Sequence, residues 1–380
     1  MTATFLPPAR LLLGPGPCNT SKTVLEALGR PTIGHLDPAF LELMNQVRTR
    51  LRQLFGTVNE LTIPISATGS GGMQAVLSNL VRPGDRILVG VHGVFGKRFA
   101  DCARRLGAEV VEIEGEWGQP LDVAGMETAS EIAHSAGKPF SMVGAVHAET
   151  STGVVVLPAE LERLRAIADT HDALLVMDTV TSLAGLPIKL DARGIDATWS
   201  GTQKCLACPP GLSPISLSPR AFQRAVERKD SMSSWYFDLS MIGKYWGAER
   251  AYHHTAPINM LYGIHAATGA ALGEGLDDRF ARHEAAARTL WTGLAKLGLE
   301  PLVPESHRLF PLTSVRIPEG VDDHKLRRNL LEEHNIEIGG GLGPLAGKVW
   351  RIGLMGDNAS ASVVKQLCAA LADELPAARA

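Results

Sequence analysis

Two segments decide the fold: Ala173-Leu-Leu-Val-Met-Asp178 and Ile195-Asp-Ala-Thr-Trp-Ser-Gly-Thr-Gln-Lys204. Each begins as an apolar, strand-like run and ends near a charged side chain, Asp178 in the first and Lys204 in the second. The interval between them has room for one short crossover between neighbouring strands. In open α/β sheets the carboxyl ends of such strands hold the chemistry, so both side chains are expected at one edge of a sheet.

The flanking sequence shows the same organisation over a longer range. Between about residues 60 and 215, short apolar runs alternate with longer amphipathic stretches, which predicts a mainly parallel sheet covered by helices. Beyond about residue 256 long helical patterns predominate, which predicts a separate α+β domain. The predicted strands are 61–66, 85–91, 108–113, 141–146, 173–177, 195–199, 213–217, 313–317 and 348–352, and the predicted helices are 71–81, 95–106, 158–171, 259–273, 279–297, 322–333 and 360–375.

Composition narrows the class of protein. The chain has 380 residues, 45% of them hydrophobic, enough for a large core and usually for two domains. Its net charge of −3 is spread evenly, without a basic face for nucleic acid or a polybasic tract for membranes. We find no run of about 18 apolar residues and no signal peptide, and five scattered cysteines fit a reducing compartment. We therefore expect a cytoplasmic protein that acts on small molecules.

A lysine and an aspartate in this arrangement are what pyridoxal phosphate needs. The amine of Lys204 can hold the cofactor's aldehyde as a Schiff base, and Asp178 can keep its pyridine nitrogen protonated. Upstream, Ala67-Thr-Gly-Ser-Gly-Gly-Met73 joins a predicted strand to a helix, so its backbone N–H groups can cradle a phosphate. Taken alone, that turn is as often a tight turn as an anion site.

Other candidate residues have competing interpretations. Phe95 follows a predicted strand and could stack on an aromatic cofactor or simply pack at a helix start. The block Tyr252-His-His-Thr255 lacks a third ligand at helical spacing, so a structural role is favoured over a metal site. Arg351 lies in an apolar strand-like run and could clamp a substrate carboxylate. Cys205-Leu-Ala-Cys208 lacks a second cysteine pair, so packing is favoured over zinc, and no metal is expected.

Taken together, these motifs resemble the alanine–glyoxylate aminotransferases of the class V, fold type I family, over roughly residues 10 to 372. The most specific are Gly201-Thr-Gln-Lys204 followed by Pro209-Pro-Gly211, the Tyr252-His-His-Thr255 block, and Lys348-Val-Trp-Arg-Ile-Gly353. The resemblance implies a large domain with a mainly parallel seven-stranded sheet and a smaller C-terminal α+β domain. We place an N-terminal arm at 1–20, the large cofactor-binding domain at 21–256 and the small domain at 257–380.

The resemblance also implies roles for individual residues. Lys204 would bind pyridoxal phosphate covalently and shuttle the substrate's proton, and Asp178 would pair with the pyridine nitrogen. The remaining cofactor contacts would come from Thr68, Gly69, Ser70, Phe95, Thr150 and Gln203, and from Tyr252 and Thr255 of a partner subunit in a homodimer. Substrate contacts would come from Gly16, Thr150 and Arg351. His35, in a Gly-His form common among broader family members, would line the substrate mouth or serve a structural role.

The implied reaction is ping-pong transamination from a small L-amino acid, alanine or possibly serine, to glyoxylate, giving glycine and a 2-oxo acid. Aspartate–glyoxylate and pyridoxamine–pyruvate transamination are the nearest alternatives. A cysteine desulfurase or lyase would need a mobile cysteine late in the chain, and Cys368 lies in an apolar helical pattern. A nonenzymatic cofactor-binding regulator is a further alternative, without a basic patch to support it.

Overall fold

The computed structural model of the protein describes residues 5–228 and 232–378. The helices are α1 (Lys22–Leu28), α2 (Pro38–Phe55), α3 (Gly69–Leu80), α4 (Val94–Arg105), α5 (Val123–Ser135), α6 (Pro158–Thr170), α7 (Pro219–Val226), α8 (Leu239–Trp246), α9 (Ile258–Glu274), α10 (Leu276–Lys296), α11 (Asp323–Glu333) and α12 (Ala361–Ala378). The strands are β1 (Leu11–Leu12), β2 (Leu61–Ile65), β3 (Arg86–Val91), β4 (Glu109–Glu114), β5 (Met142–Val146), β6 (Ala148–Glu149), β7 (Val154–Val155), β8 (Leu174–Asp178), β9 (Ala197–Trp199), β10 (Ser213–Leu217), β11 (Leu312–Arg316), β12 (Ile336–Glu337), β13 (Gly339–Gly340) and β14 (Val349–Gly353).

A twisted sheet of seven strands forms the centre of the described residues. Its order is β2-β10-β9-β8-β5-β3-β4, and only β10 runs antiparallel to its neighbours. Strands β2, β5, β8 and β10 are buried along their whole length, as expected for a sheet covered by helices on both faces. The predicted fold class and mainly parallel sheet are thus confirmed.

Helix α3 shows how the local sequence fixes the packing on this sheet. Thr68 is its N-cap residue, and Gly72 lies in its first turns against strand β10. A Cβ atom at Gly72 would lie 1.8 Å from Oγ of Ser213, so a larger residue would push the helix away from the sheet. The helix N-terminus is therefore held at the carboxyl edge of the neighbouring strands.

A second hydrophobic cluster contains the residues of α10, α11 and α12 that pack on the antiparallel sheet β11-β14-β13. The first strand, β1, joins this part of the molecule by pairing in parallel with β12, and Gly353 N donates to Leu13 O at 2.8 Å. Helix α9 instead packs on α1 and α2, and its buried face belongs to the large cluster around the main sheet.

The predicted strands and helices match the structure to within a few residues. Five helices were absent from the prediction: α1, α2, α5, α7 and α8. The longest of them, α2, begins at Pro38 behind the N-cap Asp37. The predicted division into domains at residue 257 stays a prediction. Residues 1–4 of the predicted arm and residues 379–380 of the predicted small domain lie outside the described residues. None of the helices described is both long enough and apolar enough to cross a membrane.

Candidate active site

A cavity of about 190 Å³ opens at the carboxyl edge of the main sheet. Strands β5, β8 and β9 end there, and helices α3 and α4 begin there. Sites at this edge are typical of open α/β sheets. The cavity is lined by Gly69, Ser70, Met73, Phe95, Arg98, Val146, Ala148, Thr150, Asp178, Val180, Thr181, Trp199, Gln203 and Lys204.

Asp178, the last residue of β8, presents a buried carboxylate to the cavity. Its Oδ1 accepts a hydrogen bond from the backbone N–H of Val180 at 2.8 Å. Burial raises the pKa of Asp178 to about 7, with a smaller increase from the negative charge of Glu149, while the Val180 hydrogen bond acts in the opposite direction. A carboxylate with so little solvation gains strongly from a cation placed beside it.

Lys204 lies at the same cavity, in the loop after β9, and is 7% exposed. Burial, followed by the positive charge of Arg351, lowers the pKa of Lys204 to about 8. Its Nζ donates a hydrogen bond to the backbone carbonyl of Pro15. At pH 7 about a tenth of this amine is unprotonated, far more than for an ordinary lysine, and the unprotonated form is the one that attacks a carbonyl carbon.

The segment before helix α1 covers the lysine. Gly16 has a φ of 103°, in the left-handed region that favours glycine. A Cβ at this position would lie 2.7 Å from Cδ of Lys204 and 2.8 Å from its Nζ. The backbone conformation therefore favours glycine, and any larger residue would also displace the end of the lysine side chain.

The opposite end of the cavity is suited to an anion. Gly69 and Ser70 form the first turn of α3, and no described side chain caps this helix, since Thr68 makes no capping hydrogen bond. Free N–H groups and the helix dipole favour negative charge at this point. Oε1 of Gln203, also at the cavity, is buried without a hydrogen-bond partner among the described residues.

Arg351 lies in strand β14 and adjoins the cavity through Thr150. Its guanidinium is held by two backbone carbonyls: Nε donates to Gly340 at 2.7 Å and Nη1 to Thr150 at 3.2 Å. The side chain is 6% exposed, and burial lowers the pKa of Arg351 to about 10. These contacts fix the orientation of a charged group that can pair with a carboxylate.

Glu149 organises the start of helix α4, and the sequence prediction missed it. Its Oε2 accepts from the backbone N–H groups of Phe95 at 3.1 Å and Gly96 at 3.2 Å. Its Oε1 accepts from the backbone N–H and the hydroxyl of Ser151 at 3.0 and 2.6 Å. Glu149 is fully buried, and burial raises its pKa. The carboxylate thus locks the backbone that carries the Phe95 ring.

The aminotransferase class-V family matches residues 21–361, which is most of the chain and includes nearly all the residues of this cavity. The chain belongs to the class-V aminotransferase family. The family suggested by the sequence motifs is therefore confirmed.

Individual relatives of this class-V aminotransferase agree over almost its whole length. It is 38% identical to an alanine–glyoxylate aminotransferase of Drosophila melanogaster, with 98% of this chain and 94% of the relative covered. It is 37% identical to an (S)-ureidoglycine–glyoxylate transaminase of Bacillus subtilis, with 92% of this chain and 86% of the relative covered. A crystal structure of an alanine–glyoxylate aminotransferase from Nostoc sp. superimposes with a TM-score of 0.94 at 45% identity, covering 98% and 97% of the two chains.

Most of the predicted site residues meet in this class-V aminotransferase. Gly69, Ser70, Phe95, Thr150, Asp178, Gln203 and Lys204 line the cavity, and Thr68, Gly16 and Arg351 adjoin it. The structure does not bring His35, Tyr252 or Thr255 to the cavity wall of a single chain. The rings of His35 and Tyr252 lie 5.1 Å apart, and the Tyr252 and Thr255 hydroxyls are 3.2 Å apart, with Tyr252 57% exposed.

The cysteines do not form a second chemical centre. Burial raises the pKa of Cys205 and of Cys208 to about 12, and these thiols pack in the interior. Cys368 lies in helix α12, and burial raises its pKa as well. A thiol with a raised pKa supplies little of the thiolate that sulfur chemistry requires. No group of three or more potential metal ligands occurs in the part of the chain that the structure describes.

Proposed function

We propose that this class-V aminotransferase uses pyridoxal phosphate to move the amino group of a small L-amino acid, alanine or serine, to glyoxylate, giving glycine and a 2-oxo acid. The observation that carries the proposal is the meeting of Lys204, Asp178 and the free N-terminus of α3 at one cavity. Relatives named for glyoxylate as acceptor, at 37 to 38% identity, support this choice of acceptor.

The cavity fits the proposed cofactor at three points. The first turn of α3 and the unpartnered Gln203 Oε1 atom lie where a protonated phosphate oxygen or a bound water could be held. Asp178 would sit beside the pyridine nitrogen, and Phe95 would stack against the ring. Bound there, pyridoxal phosphate supplies an aldehyde for amines and an electron-withdrawing ring that stabilises negative charge at the substrate's Cα.

The protein's own residues then bind, orient and move a proton. The neutral Nζ of Lys204 takes the proton from Cα of the donor and later delivers a proton to the carbon of the acceptor. Arg351 pairs with the α-carboxylate of either substrate, which fixes the Cα–H bond relative to Nζ. Pro15 and Gly16 cover the amine and exclude water from it. Asp178 stays ionised as long as a positive charge lies beside it.

A homodimer is part of the proposal. Tyr252 and Thr255 form an exposed hydroxyl pair in a segment whose His254 Nε2 lies 2.9 Å from Oγ of Ser66, near the carboxyl end of β2. Exposed hydroxyls of this kind can contact a phosphate in a neighbouring subunit. Mixing Lys204→Ala subunits with Tyr252→Phe, Thr255→Ala subunits tests this, because heterodimers should recover activity that neither parent shows. Proven heterodimers without recovery would contradict shared sites. The cytoplasmic location remains a prediction from cysteine usage.

Absorption spectroscopy tests the proposed reaction directly. Purified protein with added pyridoxal phosphate is expected to gain a visible band, which L-alanine or L-serine removes and glyoxylate restores. Lys204→Ala should lack the band that wild type shows. Absence of the band in wild type would contradict the cofactor assignment. Bleaching by L-aspartate or (S)-ureidoglycine, but not by alanine or serine, would retain the aminotransferase and replace the proposed donor.

A further inference from the structure

A second cavity, of about 450 Å³, lies between the hairpin that follows β5 and the segment 288–310. It shares no lining residue with the cavity that holds Lys204. Its walls combine two aromatic rings, Trp291 and Phe310, with three guanidinium groups, those of Arg193, Arg288 and Arg308.

The apolar wall is formed by Trp291 and Phe310, whose ring centroids are 6.0 Å apart, together with Leu186 and Pro187. The indole N–H of Trp291 donates to Oγ1 of Thr313 at 2.9 Å, so its orientation is fixed. A rigid aromatic wall of this kind binds flat or branched apolar groups.

The polar wall carries excess positive charge. Arg288 is balanced by Glu284 at 2.8 Å and by Glu305 at 4.0 Å. Arg193 and Arg308 form no ion pair with any residue in 5–228 or 232–378. Arg308 donates through Nε to Val303 O at 2.9 Å, and its guanidinium lies over the Trp291 ring at 5.1 Å from the ring centroid. This places the charge at the edge of the aromatic wall, where a carboxylate could reach the terminal nitrogens while its apolar body contacts the exposed parts of the rings.

Two buried polar atoms of this wall lack partners. Nη1 of Arg193 is buried without a hydrogen bond, and burial lowers the pKa of Arg193, against the raising effect of the more distant Glu162. His147 is 4% exposed, and its Nδ1 is likewise buried without a partner among the described residues. Leaving a buried polar group unpaired is unfavourable, so a ligand that accepts hydrogen bonds from these groups gains affinity.

We propose that this cavity binds a small organic monocarboxylate with an aromatic or branched apolar body. The carboxylate would accept hydrogen bonds from Arg193, Arg308 and His147, and its body would lie against Trp291 and Phe310. The two oxygens of one carboxylate can accept hydrogen bonds from both Arg193 and Arg308, and the carboxylate of Glu305 on the rim would repel the additional negative charge of a phosphate ester.

The test measures binding of phenylacetate to the full-length holoenzyme by isothermal titration calorimetry. The Arg351→Gln background is used because Arg351 in the first cavity also attracts carboxylates. We expect one phenylacetate per protomer, and at least tenfold weaker binding of phenylacetamide, which has the same body without the charge. Equal binding of acid and amide, or no binding of either, would overturn the proposal.

Variants locate the site. Arg193→Met and Arg308→Met should each weaken phenylacetate binding at least tenfold, and Arg193→Lys should retain part of the affinity. Arg328→Met, on the exposed side of α11, is the matched control and should leave binding unchanged. Unchanged binding in both Arg193→Met and Arg308→Met, with melting temperatures like that of the control, would place the ligand elsewhere. Because the readout is binding alone, the outcome is separate from that of the proposed transamination.

Discussion

Replacing Asp178 by Asn should make the cofactor-free protein more stable at neutral pH and leave it nearly unchanged at acid pH. The carboxyl group is buried, and its pKa rises from an ordinary value of 3.8 to about 7 in the folded chain. A group whose pKa is higher in the folded than in the unfolded state contributes its full stability below the unfolded pKa. That contribution is lost as pH rises toward the folded pKa.

The magnitude follows from the size of the shift. A difference of about 3 pKa units corresponds to about 4 kcal/mol at 1.36 kcal/mol per unit, and nearly all of it is lost between about pH 4 and pH 7. The asparagine has no such charge to desolvate, and its side-chain oxygen can still accept the hydrogen bond of the Val180 N–H. The stability gap between variant and wild type should therefore widen over this range and become constant above about pH 8.

Urea denaturation of the cofactor-free proteins at pH 5, 6, 7 and 8 measures the gap. Asp277→Asn, at an exposed position in the first turn of α10, is the control for loss of a carboxylate and should give a gap that is small and constant with pH. A constant gap for Asp178→Asn over the same range would refute the reasoning. Added pyridoxal phosphate should reverse the order at neutral pH, because only the aspartate can pair with a cationic ring nitrogen.

Further predictions concern the residues around this carboxylate. Glu149→Gln should lower the free energy of unfolding by about 1–3 kcal/mol in urea denaturation. One carboxylate oxygen accepts from the N–H of Phe95 and the other from the N–H of Ser151, so the glutamine NH2 group would face one of these donors in either orientation of the amide. Glu131→Gln, at an exposed position, is the control and should leave the free energy of unfolding unchanged. Equal stability of the two variants would contradict the role of Glu149. Gly16→Ala should slow cofactor capture, as followed by visible absorption, because φ of 103° is strained for alanine and the new methyl group would displace the end of the Lys204 side chain; capture at the wild-type rate would disprove this. The rate at which cofactor-free protein captures pyridoxal phosphate should rise with pH to a midpoint near 8, set by the neutral amine of Lys204. In Arg351→Gln this midpoint should move upward in stopped-flow absorbance, and an unmoved midpoint would rule out the charge effect.

The main sheet and most of the cavity could be predicted because their signals are local. Asp178 ends a continuous apolar run, and the glycines of 67–73 lie between a strand and a helix, so each residue's position at the sheet edge follows from its own neighbours in the sequence. Lys204 and Asp178 then identify the chemistry through residue type alone.

The interactions that depend on distant contacts could not be predicted in this way. Glu149 directly precedes Thr150, and nothing in the surrounding sequence shows that its carboxylate binds the backbone of residues 95 and 96. A charged residue in an otherwise small, apolar and hydroxyl-rich stretch was the available signal. Likewise, the packing of α9 on α1 and α2 depends on three-dimensional contacts, whereas its sequence pattern indicates only a helix.

The pairing of β1 with β12 also constrains how the protein can be made. Leu11 and Leu12 leave the ribosome early, but their partners Ile336 and Glu337 are more than three hundred positions later in the sequence. At about 5–20 residues per second, the early segment waits on the order of 15 to 65 s before it can dock. Once Lys204 has been made, Pro15 and Gly16 still lack the β1–β12 pairing that anchors their segment until residues 336 and 337 follow. The segment that covers Lys204 is therefore anchored late in biosynthesis. A free N-terminal segment thus distinguishes an incomplete chain from a finished one.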